Sequence, residues 1–244
     1  MCKSHFIVRW FFIVTFVVIT FSGCAVWDRL FPKEDRSPEE LMRDGIKNFE
    51  KGDLTDATKE FQNIKDRYPY SKFAIDAELK MADALYKRYL FDEAFDAYGE
   101  FERLHPKNAN IPYVVYQKGM CHFSQGGTID RNQSNTLKAK EEFERLVKKF
   151  PKTEYANMGR RKIRECYVNL ADYELYVGHF YYKKKNYRAA MGRYRYILEN
   201  YPDLGQYHIA LEYLRKCVEK LPKEKGNEKD SKKSWWYRLT HSFQ

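Results

Sequence analysis

One spacing recurs four times in this chain: an alanine, an aromatic ring four residues on, and a proline eight residues after the ring. The copies are Ala57/Phe61/Pro69, Ala94/Tyr98/Pro106, Ala139/Phe143/Pro151 and Ala190/Tyr194/Pro202. Each proline follows an aromatic or a histidine (Tyr68, His105, Phe150, Tyr201), and four of the eight prolines thus share one repeated site. A small residue stands twelve positions before the alanine in three copies (Gly45, Ala82, Gly178); in the third copy Gly119 precedes Ala139 by twenty, so about eight residues are inserted there. The pattern describes pairs of antiparallel helices. The small residue and the alanine sit where two helices cross, the ring fills the wedge beside them, and the proline ends the second helix because it lacks an N–H and disfavours helix in the residue before it.

Four copies in register exclude coincidence, and the pattern resembles the tetratricopeptide (TPR) repeat. The resemblance implies an all-α TPR superhelical solenoid of about four and a half helix-turn-helix repeats, at residues 38–71, 75–108, 112–153, 171–204 and a partial 206–221. Twelve Gly and eight Pro in 244 residues are too few for a turn-rich all-β chain. Helix boundaries agree: Ser37-Pro38-Glu39-Glu40 is a capping box with proline at the first helical position, and Asn110-Ile111-Pro112 begins another helix. The prolines lie 37, 45 and 51 residues apart. The second interval holds a turn-rich insertion, Gln125 to Thr136, and the third an extra helical stretch merging into one helix from Glu154 to Lys184. A fifth unit, carrying Ala210, Leu211 and Leu214, stops at Pro222 without a second helix. Either that helix is the polar cap a terminal repeat needs, or a partner covers its open side.

The chain starts with Lys3 and Arg9, an apolar run from Trp10 to Phe21, and the small pair Ser22-Gly23 before Cys24. This is export-signal chemistry, and Phe21-Ser22-Gly23-Cys24 resembles the lipobox of bacterial lipoproteins, with Phe21 where Leu is usual. The resemblance implies a signal peptide over 1–23, cleaved before Cys24, and diacylglycerol and N-acyl lipid on Cys24 at the head of a tether over 24–36. Two or more acyl chains hold a protein on a membrane. Ala25 is not the Asp that resembles an inner-membrane retention signal, so the expected place is the outer membrane, facing the periplasm. Loss of 1–23 leaves 42 basic against 34 acidic residues, a net charge of +8. No nucleic acid is expected as partner of an exported, tethered chain.

Catalytic motifs are absent from the sequence: no phosphate-cradling glycine loop, nucleophile elbow or His-Glu-x-x-His occurs. No cofactor, metal site or enzymatic activity is expected. Cys166 and Cys217 pair only if the long helix and the last helix touch. Residues 223–244 form a charged linker and the aromatic tail Ser234 to Phe243, with membrane-interface contact, docking on a partner and folding back onto the last repeat all open.

His105-Pro106 leading to Asn110-Ile111-Pro112-Tyr113, the loop Asp130-Arg131-Asn132-Gln133, Tyr173 to Tyr181, and Tyr187-Arg188-Ala189-Ala190 resemble the BamD family of outer-membrane protein assembly factors. The usual third loop residue of that family is Asp, where Asn132 stands here. Members of that family often carry a full fifth helix pair, of which this sequence is expected to form only the first helix. The resemblance implies a subunit of the complex that inserts β-barrel proteins into the outer membrane. It would bind the periplasmic domain of a BamA-like barrel subunit and C-terminal signals of unfolded outer-membrane proteins, with other assembly lipoproteins as further partners. Counting from the small residues turns Phe49, Tyr86, Tyr113, Tyr116 and Phe123 toward a groove suited to an extended aromatic peptide. Between Lys148 and Arg195 thirteen Lys/Arg face four acids, which marks Arg160, Arg161 and Arg164 as contacts for an acidic partner. Two other readings stand beside this one: another TPR lipoprotein such as a secretin pilotin, and a cell-wall-associated enzyme subunit.

Overall fold

The computed structural model describes residues 36–127 and 133–221. The expected signal, Cys24 and most of the tether, the inner part of the Asp130 loop, and the linker and tail lie outside the described residues. Among those described there are nine α-helices and no strand: α1 Pro38–Lys51, α2 Leu54–Arg67, α3 Ala74–Lys87, α4 Phe91–Leu104, α5 Ile111–Ser124, α6 Ser134–Lys149, α7 Glu154–Lys183, α8 Tyr187–Asn200 and α9 Gln206–Lys220. They fall into two compact units, one ending at Ala77 and the other beginning at Glu78, inside α3.

In the first unit α1 packs on α2. The capping box forms in full: Ser37 Oγ accepts from the Glu40 N–H at 3.2 Å, and the Glu40 carboxylate accepts from the Ser37 N–H at 2.9 Å. Gly52 ends α1 in the left-handed region (φ 87°). Its N–H reaches the Phe49 carbonyl while that of Asp53 reaches the Asn48 carbonyl, the paired bonds of a Schellman turn. Gly45 lies flat against Phe61, so that a Cβ built on it would stand 2.6 Å from the ring.

In the second unit each helix from α4 to α9 packs on the next; α5 also touches α7, and α7 touches α9. This is the order of a TPR-like all-α solenoid, antiparallel pairs stacked so that alternate helices meet. The repeated motif builds it. Ala94, Ala139 and Ala190 are wholly buried, as are the rings of Tyr98, Phe143 and Tyr194. Gly119 and Gly178 are pressed against Phe143 and Tyr194, leaving no space for a Cβ. One turn beyond each ring, at a position the motif did not single out, stands a further buried apolar residue: Phe101, Leu146 and Ile197 here, and Ile64 in the first unit.

The prolines act as expected. Tyr68, His105, Phe150 and Tyr201 cap α2, α4, α6 and α8 with φ of −131°, −123°, −132° and −134°, each donating its N–H to the carbonyl four residues back. The long helix α7 covers 30 residues, starting where Thr153 Oγ1 accepts from the Ala156 N–H at 3.2 Å. On α9 the exposed positions are His208, Ile209, Glu212, Arg215, Glu219 and Lys220. All but Ile209 are polar, the outer face of a capping helix.

Two polar clusters join the pairs. Asp83 accepts hydrogen bonds from the hydroxyls of Tyr98 (2.7 Å) and Tyr113 (2.6 Å). Arg145 on α6 forks onto Glu102 of α4 at 2.6 and 3.1 Å and also holds Glu142, while Lys118 of α5 reaches Glu102 at 3.3 Å. Cys121, Cys166 and Cys217 are buried free thiols, so Cys166 and Cys217 do not form a disulfide in this structure. Burial pushes the Cys166 thiol up to about 12 and that of Cys217 up to about 11.

Candidate functional site

Where α3 turns into α4 the chain repeats the Gly52 turn without a glycine. Tyr89 takes φ 62°, with its N–H on the Tyr86 carbonyl and the Leu90 N–H on that of Leu85. Lys185 does the same between α7 and α8 at φ 59°. Each of the three residues stands five positions before the motif alanine. A non-glycine residue in this region is uncommon and costs free energy. At Tyr89 the turn leaves the side chain 80% exposed, a large ring held out into solvent.

That ring borders a cleft of about 570 Å³ lined by Tyr86, Lys87, Tyr89, Phe91, Met120, Phe123 and Ser124. Phe91 meets Tyr86 edge-on at 5.3 Å and Tyr89 edge-on at 6.0 Å, forming one wall. Tyr86 is fixed across the cleft by a 2.9 Å hydrogen bond between its hydroxyl and that of Ser124. Phe123 packs on Phe143 from one side, with the Lys162 ammonium 4.3 Å from its centroid. The lining is mostly aromatic and apolar, with Lys87 and Ser124 at its polar positions and Tyr89 largely exposed.

The five expected groove residues divide. Tyr86 and Phe123 are brought together in the cleft. Tyr113 and Tyr116 belong to the interior: Tyr113 is held by Asp83, and Tyr116 is 9% exposed between Phe143 and Tyr155. Burial raises both phenols above their ordinary value. Phe49 stands half-buried in the first unit. Tyr89, Phe91 and Met120 complete the cleft. None of these three is among the groove residues expected from the sequence. For Tyr89 the signal was its position five before Ala94, where Gly52 stands before Ala57.

The three arginines also divide. Arg160 donates to Asn157 Oδ1 at 2.6 Å and to the Pro151 carbonyl at 3.0 Å, and with Arg164 borders a cleft that includes Tyr167 and the turn from Asn200 to Leu204. Arg161 and Arg164 border another, with Phe123 and Val168. Successive helix positions point about 100° apart, so Arg160 and Arg161 cannot share one direction, and Arg164 lies between them. Among the described residues no cluster of His, Cys, Asp and Glu is arranged to hold a metal, and no helix is long and apolar enough to cross a membrane. His122 and His179 are both lowered, burial being the main cause. His179 sits against Tyr194 and Tyr213, a structural stack.

Stacked antiparallel helix pairs, keyed by glycine-on-ring contacts and opening into clefts of aromatic and arginine side chains, define a protein of the TPR type. Residues 34–233 match the family described as YfiO, outer membrane lipoprotein. The outer membrane protein assembly factor BamD of Rickettsia prowazekii (strain Madrid E) is 34% identical over 179 residues, covering 73% of this chain and 70% of that protein. The BamD protein of Caulobacter vibrioides is 30% identical over 168 residues, 69% of this chain and 55% of its own length. That of Pasteurella multocida (strain Pm70) is 26% identical over 217 residues, 85% and 84% of the two chains. The chain belongs to the YfiO family of outer membrane lipoproteins.

Proposed function

We propose that this chain is a lipid-anchored, non-enzymatic adaptor in the assembly of outer-membrane β-barrel proteins. Its relatives carry the name of assembly factor. In this reading Cys24 bears the acyl anchor and the helical body faces the periplasm. The cleft of Tyr86, Tyr89, Phe91, Met120 and Phe123 receives extended, aromatic-rich segments of unfolded clients. An acidic periplasmic domain of the barrel subunit BamA docks at the Arg160–Arg164 side, near Asn200 to Leu204.

The cleft is the observation that supports the client role best. Aromatic surface left open costs free energy of about 25 cal/mol per Å² unless something covers it. A strand with alternating rings supplies apolar side chains on one face at every second residue. The role needs binding and release rather than bond-breaking, and the residues lining the cleft serve that.

Co-purification tests the proposal. The chain, solubilised from membranes in detergent and captured by an affinity tag, is expected to bring down barrel-assembly subunits and unfolded barrel precursors. Recovery of secretin components with no barrel-assembly subunit would overturn it. Palmitate labelling of the wild type, lost in Cys24→Ser, tests the anchor.

A further inference from the structure

The turns that follow the motif's second and third prolines are basic. Arg103 to Lys107 and Lys148 to Lys152 together hold five Lys/Arg in ten residues and no Asp or Glu. Both turns stand at one end of the second unit: Glu102, near the end of α4, takes Arg145 at 2.6 Å and Lys149 at 3.8 Å, both near the end of α6. Arg103, Lys107, Lys148, Lys149 and Lys152 are exposed, and Leu104 between the first two is 44% exposed. The next acid along the chain after Lys152 is Glu154, in the first turn of α7.

Helix ends do not account for all of these cations. A basic residue in the last turn of a helix complements its dipole, which covers Arg103, Lys148 and Lys149. Lys152 instead directly precedes Thr153, the N-cap of α7, where the dipole is positive and disfavours it. Lys107 lies beyond the end of α4, four residues before α5. Nor does the turn itself require them: in the fourth copy the last turn of α8 has no basic residue, and Asp203 follows Pro202. Like charges gathered at one edge repel one another, and an anionic surface outside the chain relieves that repulsion.

A membrane is the anionic surface within reach. Arg36 is fixed to the first helix pair: its carbonyl accepts from the Tyr68 hydroxyl at 3.0 Å, and its guanidinium pairs with Asp44 of α1 and Glu60 of α2. Tyr68 directly precedes the motif's first proline, so the tether joins the body beside a turn of the same type. Twelve residues separate Cys24 from Arg36, at most about 40 Å of extended chain. We propose that the Arg103–Lys107 and Lys148–Lys152 turns rest on anionic phospholipid headgroups, the cations meeting phosphates and Leu104 the apolar layer beneath. The proposal rests on the lipid-anchor reading above and deepens it: acyl chains hold the protein to the bilayer, and this edge sets which way the body faces. Each Lys or Arg near an anionic surface favours the bound state roughly fivefold, an effect that salt screens.

The experiment uses the acylated full chain in vesicles of phosphatidylcholine alone, or of phosphatidylcholine with one part in three phosphatidylglycerol. Flotation with the neutral vesicles reads the anchor; the rate of lysine acetylation, followed by mass spectrometry, reads the edge. Lys107, Lys148 and Lys152 are expected to react about fivefold more slowly in the anionic vesicles than in the neutral ones, the difference vanishing at high salt. Lys138, exposed near the start of α6, should keep one rate throughout. Equal rates in the two lipids, or the same slowing at Lys138, overturns the lipid-facing edge and leaves the anchor standing. Protection of the edge lysines by a partner protein in detergent, with none in vesicles, assigns the surface to an acidic protein and overturns the proposal too. Failure to float with neutral vesicles overturns the anchor reading itself.

Discussion

Gly119 of α5 is pressed flat against the ring of Phe143 in α6: a Cβ built on Gly119 would lie 2.5 Å from Phe143 Cε1. The ring has nowhere to go, being wholly buried and backed by Tyr116 and Phe123. Gly45 with Phe61 and Gly178 with Tyr194 repeat the contact. Helix propensity favours alanine over glycine by about 1 kcal/mol, yet here overpacking wins. Gly119→Ala is expected to destabilise by a net of about 1–3 kcal/mol, read by urea unfolding. Gly192→Ala, where a Cβ meets open space, should be neutral or stabilising.

Tyr89 sits in a backbone conformation that glycine adopts freely and tyrosine does not. Tyr89→Gly is expected to stabilise the fold by roughly 1 kcal/mol while weakening binding of an aromatic peptide, because the exposed ring is lost. Thermal melting and anisotropy on the same preparation separate the two effects. A fall in stability would show that the ring, not the turn, is what the fold needs.

Phe123 and Tyr116 are both aromatic, both on α5, seven residues apart, and both meet Phe143, but Tyr116 is buried while Phe123 lines the cleft. Tyr116→Ala should cost about 3–5 kcal/mol, the range for emptying a buried aromatic site. Tyr86→Ala with Tyr89→Ala removes one half-buried and one exposed cleft ring and should lower peptide affinity severalfold with a smaller effect on melting than Tyr116→Ala. Equal loss of stability in the two variants would mean that the cleft rings are core.

Glu102 ties α4 to α5 and α6. Burial alone would push its carboxyl up; the hydrogen bonds and charges of Arg145 and Lys118 outweigh that and hold it below the usual range. A carboxyl depressed in the folded state contributes stability that is present above its ordinary value and lost as pH falls through the folded one. Urea midpoints should therefore drop below about pH 4.5. In Glu102→Gln the protein should be less stable at pH 7 by about 1–2 kcal/mol and show a shallower loss on acidification.

The fold was readable in the sequence because its determinants are local and repeated. The alanine, ring and proline fall at fixed offsets, and each offset is a direct consequence of 3.6 residues per turn and of proline's missing donor. The buried set at Ile64, Phe101, Leu146 and Ile197 escaped notice because its residue type varies from copy to copy. The candidate site was only half readable. Tyr86 and Phe123 share the cleft, but whether Tyr116 faced outward depended on Tyr155, nearly forty residues away on α7. The turn at Tyr89 was hidden because only its first counterpart, Gly52, carries the residue that signals it.

The most direct measurement places a photo-crosslinking amino acid at position 89, on the cleft, and at position 141, exposed on α6. Irradiation of growing cells should join the residue at 89, and not that at 141, to unfolded β-barrel precursors through their aromatic terminal segments. Adducts of equal yield at both positions, or none with barrel precursors at 89, would contradict the cleft's role as the client receptor.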